Sequence, residues 1–305
     1  MVYLGLAVAA LCWASVFHIG QYALTLMSPL SAASWRFDVA SVLLVGLVAW
    51  REGWNGQALW RNAGVLALMA SVGVFGFNVG LFYGLQETSA VNGALIVGIC
   101  PTLTAVLAAA LGRRMPTANE VVGLALGLAG VATVVSHGSW AALTHLHLGR
   151  GDALVVLASL CWAIYSVLPR FLSGLTPLQV SASTVTGGGL LMTGLALAVE
   201  PGFPSVLPSG PGWLAVVAMA LFGTVVAYLC WNRGVEQVGS TRSAVFMNFV
   251  PLFATLIGAL RGQPILGAQL AGAGLVIAGV LCTNLLSPST GRRLFVRRRA
   301  GPVGG

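Results

Sequence analysis

Apolar residues run along this chain in ten blocks, near positions 3–23, 32–50, 64–84, 92–111, 120–136, 151–171, 178–199, 212–231, 242–260 and 267–286. A hydrocarbon core about 30 Å thick is crossed by roughly 20 helical residues, so each block predicts one transmembrane helix. The connectors between them hold Ser28-Pro29, Met115-Pro116, Thr176-Pro177, the stretch from Pro201 to Pro211, and Gln263-Pro264. These are residue pairs that begin turns and stop helices. The period-two alternation of a membrane barrel is absent.

The first five blocks resemble the second five. Leu11-Cys12-Trp13-Ala14 recurs 149 positions later as Leu160-Cys161-Trp162-Ala163, and Gly123, Gly130 and Val131 answer Gly272, Gly279 and Val280 at the same offset. Pro101 pairs with Pro251 at 150, and Phe75-Gly76 with Phe222-Gly223 at 147. Each half holds an odd number of spans, so the second half must lie upside down relative to the first. The pattern predicts an all-α membrane protein of ten transmembrane helices, built as two inverted five-helix repeats around a central cavity. That is the architecture of secondary transporters, whose halves rock about a site near the midplane. Residues 1–136 form the first repeat, 137–150 a periplasmic linker, 151–286 the second repeat and 287–305 a basic cytoplasmic tail.

Composition sharpens this reading. Hydrophobic residues make up 57% and charged residues 7% of 305 positions, far from the balance of a soluble domain. With the N-terminus inside, twelve of the fifteen arginines fall in inner connectors or the tail, and only Arg36, Arg150 and Arg261 fall outside. The positive-inside bias predicts that both termini are cytoplasmic. The net charge of +8 therefore belongs to topology and not to nucleic acid. The tail from Arg292 to Arg299 is read as an anchor, compatible with anionic lipid headgroups. Every basic residue is Arg, and with the Ala, Gly and Val excess this fits a GC-rich bacterial genome and an inner-membrane location. Met1 leads almost directly into the first span without a basic n-region or a small-residue cleavage site, which reads as an uncleaved helix.

The chemistry that is missing excludes several classes. There is no GxxxxGK[ST] for ATP, no CxxC and no HExxH. Cys12, Cys100, Cys161, Cys230 and Cys282 all lie in apolar spans, where they act as small hydrophobes. His137, His145 and His147 share a loop without carboxylates, so neither a metal nor another cofactor is expected. Ser15 and His18 are three apart on one helix, but no acid there completes a relay, and the chain is read as a non-enzyme. The seven acids avoid the membrane centre. Glu120 and Asp152 start helices, where negative charge suits the dipole; Glu200 ends a span, and Glu52, Glu87 and Glu236 fall in connectors. Asp38 with Arg36 is the one candidate for a semi-buried charged pair, and the favoured reading is an interfacial pair reaching toward water. With no midplane proton carrier, a facilitator or exchanger is expected over a proton antiporter.

The polar and aromatic residues inside the spans form the candidate site. Trp13 and Phe17 share a face of the first helix, and Trp162 and Ser166 do so on the sixth, with Tyr165 beside them. Asn78 with Phe82 on the third span, Tyr228 on the eighth and Asn248 on the ninth bring polar groups to depths where lipid satisfies none of them. As repeat equivalents, Trp13 and Trp162 are expected on opposite walls of one cavity. Aromatic walls with a few amides and hydroxyls suit a small amphipathic solute with an apolar side chain. The alternative reading is packing between helices, with the polar groups bonded to neighbouring backbones. Gly76, Gly80 and Gly84 make a small-residue ladder echoed by Gly223 and Ala227. Pro101 and Pro251 each remove a helical hydrogen bond in mid-span. Gly76, Pro101, Gly223 and Pro251 are the expected hinges. Gly123 and Gly127 fit either a dimer contact or intramolecular packing, and a monomer is expected.

The duplicated halves, the paired Leu-Cys-Trp-Ala and the Gly76/Gly223 and Pro101/Pro251 positions resemble a ten-helix drug/metabolite transporter of the EamA type, over residues 1–287. Within that superfamily the chain looks most like the bacterial YddG-type exporters of aromatic and other amino acids. The resemblance implies a cavity lined by spans 1, 3, 4, 6, 8 and 9, and export of neutral amino acids by alternating access, or of another small neutral metabolite or drug. Four-span multidrug relatives carry a first-helix glutamate, and residues 3–23 here hold no acid. Sugar-phosphate and nucleotide-sugar relatives are expected to place basic residues in the cavity, whereas Arg233 and Arg242 lie near a cytoplasmic end. The expected partners are the small-molecule substrate and the lipid bilayer.

Overall fold

A computed structural model describes residues 1–88, 93, 96–112, 115–136, 138–139, 141, 149–204, 207–262 and 264–285, without the side chains of 17 and 285. The principal helices are α1 (Val2–Ala23), α2 (Pro29–Arg51), α3 (Ala63–Glu87), α4 (Cys100–Gly112), α5 (Ala118–Val135), α6 (Arg150–Phe171), α7 (Pro177–Val199), α8 (Gly210–Val238), α9 (Ser240–Leu260) and α10 (Gly267–Leu285). A short helix, Gly56–Arg61, precedes α3. Among the described residues no strand occurs, and nine of these helices are long and apolar enough to cross a bilayer. Leu and Val side chains such as Val42, Leu190, Leu214 and Leu270 face outward on the helices, and Trp50, Trp54 and Trp60 cluster near the ends. That is the arrangement of a lipid-facing belt with interfacial aromatics. The chain is a multi-pass membrane protein.

Helix starts follow from local sequence. Ser28 precedes Pro29 and accepts from the Ser31 amide, and Thr176 precedes Pro177 and accepts from the Gln179 amide at 3.1 Å. Thr117 and Glu120 bond each other's backbone amides in a capping box at α5. One expectation is corrected at α8, which was read as ending near 231 with Glu236 in a connector. The helix runs on to Val238, because Asn232 turns inward and is bonded there, so the polar residues after it continue the helix. The turn into α9 is Gly239 alone, with φ at +85°, a conformation that suits a residue without a Cβ.

Packing obeys a twofold relation between the halves. α1 packs on α8 as α6 packs on α3; α1 on α9 as α6 on α4; and α2 on α8 as α7 on α3. The pairs α2/α7 and α5/α10 are their own mates. In α5/α10 a Cβ on Gly123 would stand 2.6 Å from the Gly279 carbonyl oxygen, and one on Gly272 2.7 Å from that of Gly130. Since Gly123 and Gly130 correspond to Gly272 and Gly279, these two approaches are mates. The GxxxG stretch is therefore used inside the chain.

Among the described residues, hydrogen bonds between helix ends join those that alternating threading puts on one face. Thr88 donates to Asp152 at one end of α6, and Arg170 donates to the Ala108 carbonyl at the other. The chain from 88 to 108 thus travels the length of α6, about 27 Å at 1.5 Å per residue, which makes the α4 segment a crossing as well. With it the count is ten, five in each half.

Candidate functional site

Seven side chains from four helices meet at the twofold axis. Trp13 of α1 stands edge-on to Trp162 of α6, with centroids 5.2 Å apart and planes at 89°. Trp231 of α8 lies 5.4 Å from each of them. Tyr165 stacks on Trp162 at 5.3 Å, Tyr228 closes on both, and Phe77 of α3 approaches Trp162 at 5.2 Å. Asn78, the repeat mate of Tyr228, donates to the Val74 carbonyl at 2.7 Å. Trp162, Tyr165, Tyr228 and Trp231 are almost wholly buried. Edge-to-face contacts let each positive ring edge meet a neighbour's negative face, so the cluster is cohesive as well as apolar.

This arrangement differs from the sequence expectation in one respect. Trp13 and Trp162 do not face each other across a void but touch, because residues related by a twofold axis and close to it are brought together by that axis. Two groups in the cluster remain without a partner among the described residues: the Nε1–H donors of Trp162 and Trp231 are buried and bonded to nothing. A buried unmade hydrogen bond costs about 1–3 kcal/mol.

The cluster sits beside two irregular segments. Met69–Gly76 in α3 and Met219–Val226 in α8 wind as π-helix, 150 positions apart. Such bulges interrupt the regular hydrogen-bond ladder and recur at functional sites. Their register pairs Gly73 with Gly223, whereas the Phe-Gly match had paired Gly76 with Gly223. A Cβ on Gly73 would stand 2.4 Å from Tyr165, and one on Gly223 2.1 Å from Val16, the repeat mate of Tyr165. The shared Met-Ala-x-x-Gly at 69 and 219 is the sequence signal for this pairing.

Arg36 corrects a further expectation. It was read with Asp38 as an interfacial pair, but residues two apart on a helix face different ways. Asp38 accepts from Thr193 of α7 at 3.0 Å and 2.9 Å. Arg36 is only 8% exposed and crosses to the π segment of α8, where Nε donates to Thr224 at 2.9 Å and Nη2 to the Gly223 carbonyl at 3.0 Å. Its guanidinium also lies over the Phe37 ring at 5.0 Å.

The remaining anticipated residues divide. Trp13, Asn78, Trp162, Tyr165 and Tyr228 assemble at the axis. Ser166 is buried but bonds the Trp162 carbonyl of its own helix. Phe82 packs against the core one turn beyond Asn78. Asn248 turns toward α5, where a Cβ on Gly127 would stand 2.2 Å from its Nδ2. The Phe17 side chain lies outside the described residues, as do His137, His145 and His147. Pro251 follows a 3-10 turn, Val245–Asn248, where its missing N–H cannot make the helical bond to the Met247 carbonyl, which accepts from the Phe249 amide instead. Pro101 is the second residue of α4, just after a turn at 98–99. Ser15 bonds the Leu11 carbonyl, and His18 bridges Ala254 and Arg261, so the two do not form a nucleophile and base.

Sequence reading missed Trp231, Phe77 and a polar network on one side of the cluster. There Asn232 donates to the Tyr165 hydroxyl at 2.9 Å and to Ser181 at 2.8 Å, with Thr184 3.5 Å from the same hydroxyl. Trp231 lies three residues from Tyr228 and was legible as sharing its face. The network was not, since its members come from three helices.

Inverted five-helix halves enclosing an aromatic centre flanked by paired π segments define an inverted-repeat membrane transporter. The profile of the EamA-like transporter family matches residues 1–136 and 149–285, and the chain belongs to that family. It is 35% identical to the uncharacterized transporter YyaM of Bacillus subtilis, over 88% of this chain and 89% of that one. A protein of Streptantibioticus cattleyicolor named as a probable terminal-alkyne amino-acid exporter is 26% identical, covering 98% of this chain and 96% of its own. The S-adenosylmethionine/S-adenosylhomocysteine transporter of Chlamydia muridarum is 25% identical over 88% of this chain and 87% of its own. Among solved structures, a crystal structure of a protein 21% identical superposes with a TM-score of 0.80, covering 93% of this chain and 96% of that one. That likeness concerns the fold.

Proposed function

We propose that this EamA-type transporter exports neutral amino acids, aromatic and others, across a bacterial inner membrane by alternating access, as a monomer with both termini in the cytoplasm. The observation that carries the reading is the aromatic cluster on the twofold axis with its two unbonded indole donors. Rings accept an apolar side chain, and N–H groups without partners accept a carboxylate oxygen. No acid stands on α1 within 3–23, which speaks against export of organic cations. The likeness to a protein named as an amino-acid exporter supports the substrate class, and the arginine distribution supports the orientation. Pro101 and Pro251, each beside an irregular turn, and the glycines of the π segments would be the hinges.

The test is counterflow of labelled threonine, methionine and phenylalanine into liposomes holding the purified protein, with and without a proton gradient. Exchange that weakens in Trp13→Phe or Trp162→Phe, in protein that still folds, is the expected result. Absence of flux for every amino acid would overturn the substrate class. It would move the search to other small metabolites, among them the adenosylated amino acids that a relative's name specifies.

A further inference from the structure

The two halves are not alike where they close the pathway. Each helix pair has its own register: 149 positions for α1 and α6, 148 for α2 and α7, and 150 for α3 and α8. These registers set Tyr165 against Val16, Ser181 against Ala33, Thr184 against Arg36 and Asn232 against Phe82. The first member of each of the first three pairs, with Asn232, lies toward the end of the bundle marked by Thr176. Their mates lie toward the opposite end, marked by Ser28. On the Thr176 side the four side chains are a buried hydrogen-bonded network tying α6, α7 and α8. On the Ser28 side the same positions are apolar apart from Arg36, which ties α2 to the π segment of α8.

We propose that these are two chemically different latches, with Arg36 and Asn232 as the positioning residues. The Arg36 clamp holds the pathway shut at the Ser28 face, and the Tyr165–Asn232–Ser181 network holds it shut at the Thr176 face. A charged side chain at this depth is costly to free, so the guanidinium stays on its partners until α8 moves away. The Gly223 carbonyl it grips belongs to a segment whose winding departs from the regular ladder, which gives that segment a second conformation to move into. Both latches are engaged in this structure, with Trp13 against Trp162 between them. Because the latches differ, weakening one unbalances the faces in a known direction.

The inference rests on alternating access, and its test reads conformation without substrate. Ile19→Cys and Leu168→Cys are twofold mates at equal depth on opposite sides, and a membrane-impermeant maleimide labels them in intact cells and in inverted vesicles, with the parent protein giving the background. Arg36→Met should speed labelling of the Ile19 reporter from the Ser28 face by about tenfold or more, the shift expected from losing a charge-assisted hydrogen bond, and slow the Leu168 reporter. Asn232→Leu should do the reverse, and the double variant should return toward the parent. Thr224→Val removes the clamp's other end, and should move the reporters as Arg36→Met does but less; it decides the matter if Arg36→Met does not accumulate. Variants that move both reporters the same way, or neither, overturn the latches. If substrate drives the two reporters in opposite directions while the variants do nothing, alternating access stands and only the latches fall. Reporters that always open together would overturn alternating access itself.

Discussion

Trp13 meets Trp162, its own repeat mate, edge to face at 5.2 Å, so the twofold axis passes through a contact between two indoles. Trp162 contributes a ring to that contact and also an N–H donor with no partner. Phenylalanine at 162 keeps most of the ring and removes the donor. Trp162→Phe should therefore raise the KM for phenylalanine or methionine counterflow by about 3- to 10-fold, the value of one hydrogen bond, and lower stability by less than about 1.5 kcal/mol. An unchanged KM would show that the donor does not touch the solute. Trp162→Ala, by contrast, should lose about 3–5 kcal/mol of stability, seen as a lowered unfolding temperature in detergent.

The π segments place Gly73 against Tyr165 and Gly223 against Val16 with no room for a methyl group. Gly73→Ala and Gly223→Ala should each destabilise by about 1–3 kcal/mol through overpacking. Gly46 has nothing within 4 Å of its would-be Cβ, and Gly46→Ala should be neutral or stabilise by up to about 1 kcal/mol. Thermal unfolding of the three variants under one detergent checks the contrast.

α2 and α7 are joined at both ends by mates of one bond. Ser28 caps α2 and donates to Glu200 at 2.6 Å, while Thr176 caps α7 and donates to Glu52. Ser28→Ala and Thr176→Ala should each cost about 1 kcal/mol, the usual price of a lost cap. The two sites are a membrane's width apart, so the losses should add in the double variant. Melting curves that show one cap mattering far more than the other would mean that the twofold relation does not extend to energetics.

Both mid-span prolines stand beside an irregular turn, which is where a helix bends without breaking further bonds. Pro101→Ala with Pro251→Ala should restore regular backbone bonding, leave the unfolding temperature unchanged or higher, and slow counterflow by about tenfold or more if a hinge is lost. Unchanged turnover in the double variant would remove the prolines from the mechanism.

The spans and the inverted halves were legible in the chain, and the Gly123/Gly127 spacing was legible as a close helix approach without naming its partner. Each rests on a signal carried by consecutive residues: block length, offset and glycine spacing. Part of the centre was legible too, because Trp13, Trp162 and Tyr228 are large residues at depths where such residues seek one another. The π segments were missed although Met-Ala-x-x-Gly repeats at 69 and 219, since the adjacent Phe-Gly match drew the alignment three residues away. The extension of α8 past 231 was missed because polar residues such as Asn232 and Glu236 read as a connector when their partners are unknown.

Sequence alone determined that this is a membrane protein of duplicated, oppositely oriented halves, because the thickness of a bilayer and the parity of five spans leave no other arrangement. Which side chains work together was decided only by tertiary structure. Arg36 had two neighbours in sequence and chose neither Asp38 nor water; its partners, Gly223 and Thr224, lie 187 and 188 positions away on another helix. In a bilayer each polar group must be satisfied within the protein, and the nearest available partner is a matter of how helices pack across the axis, which no local pattern along the chain records.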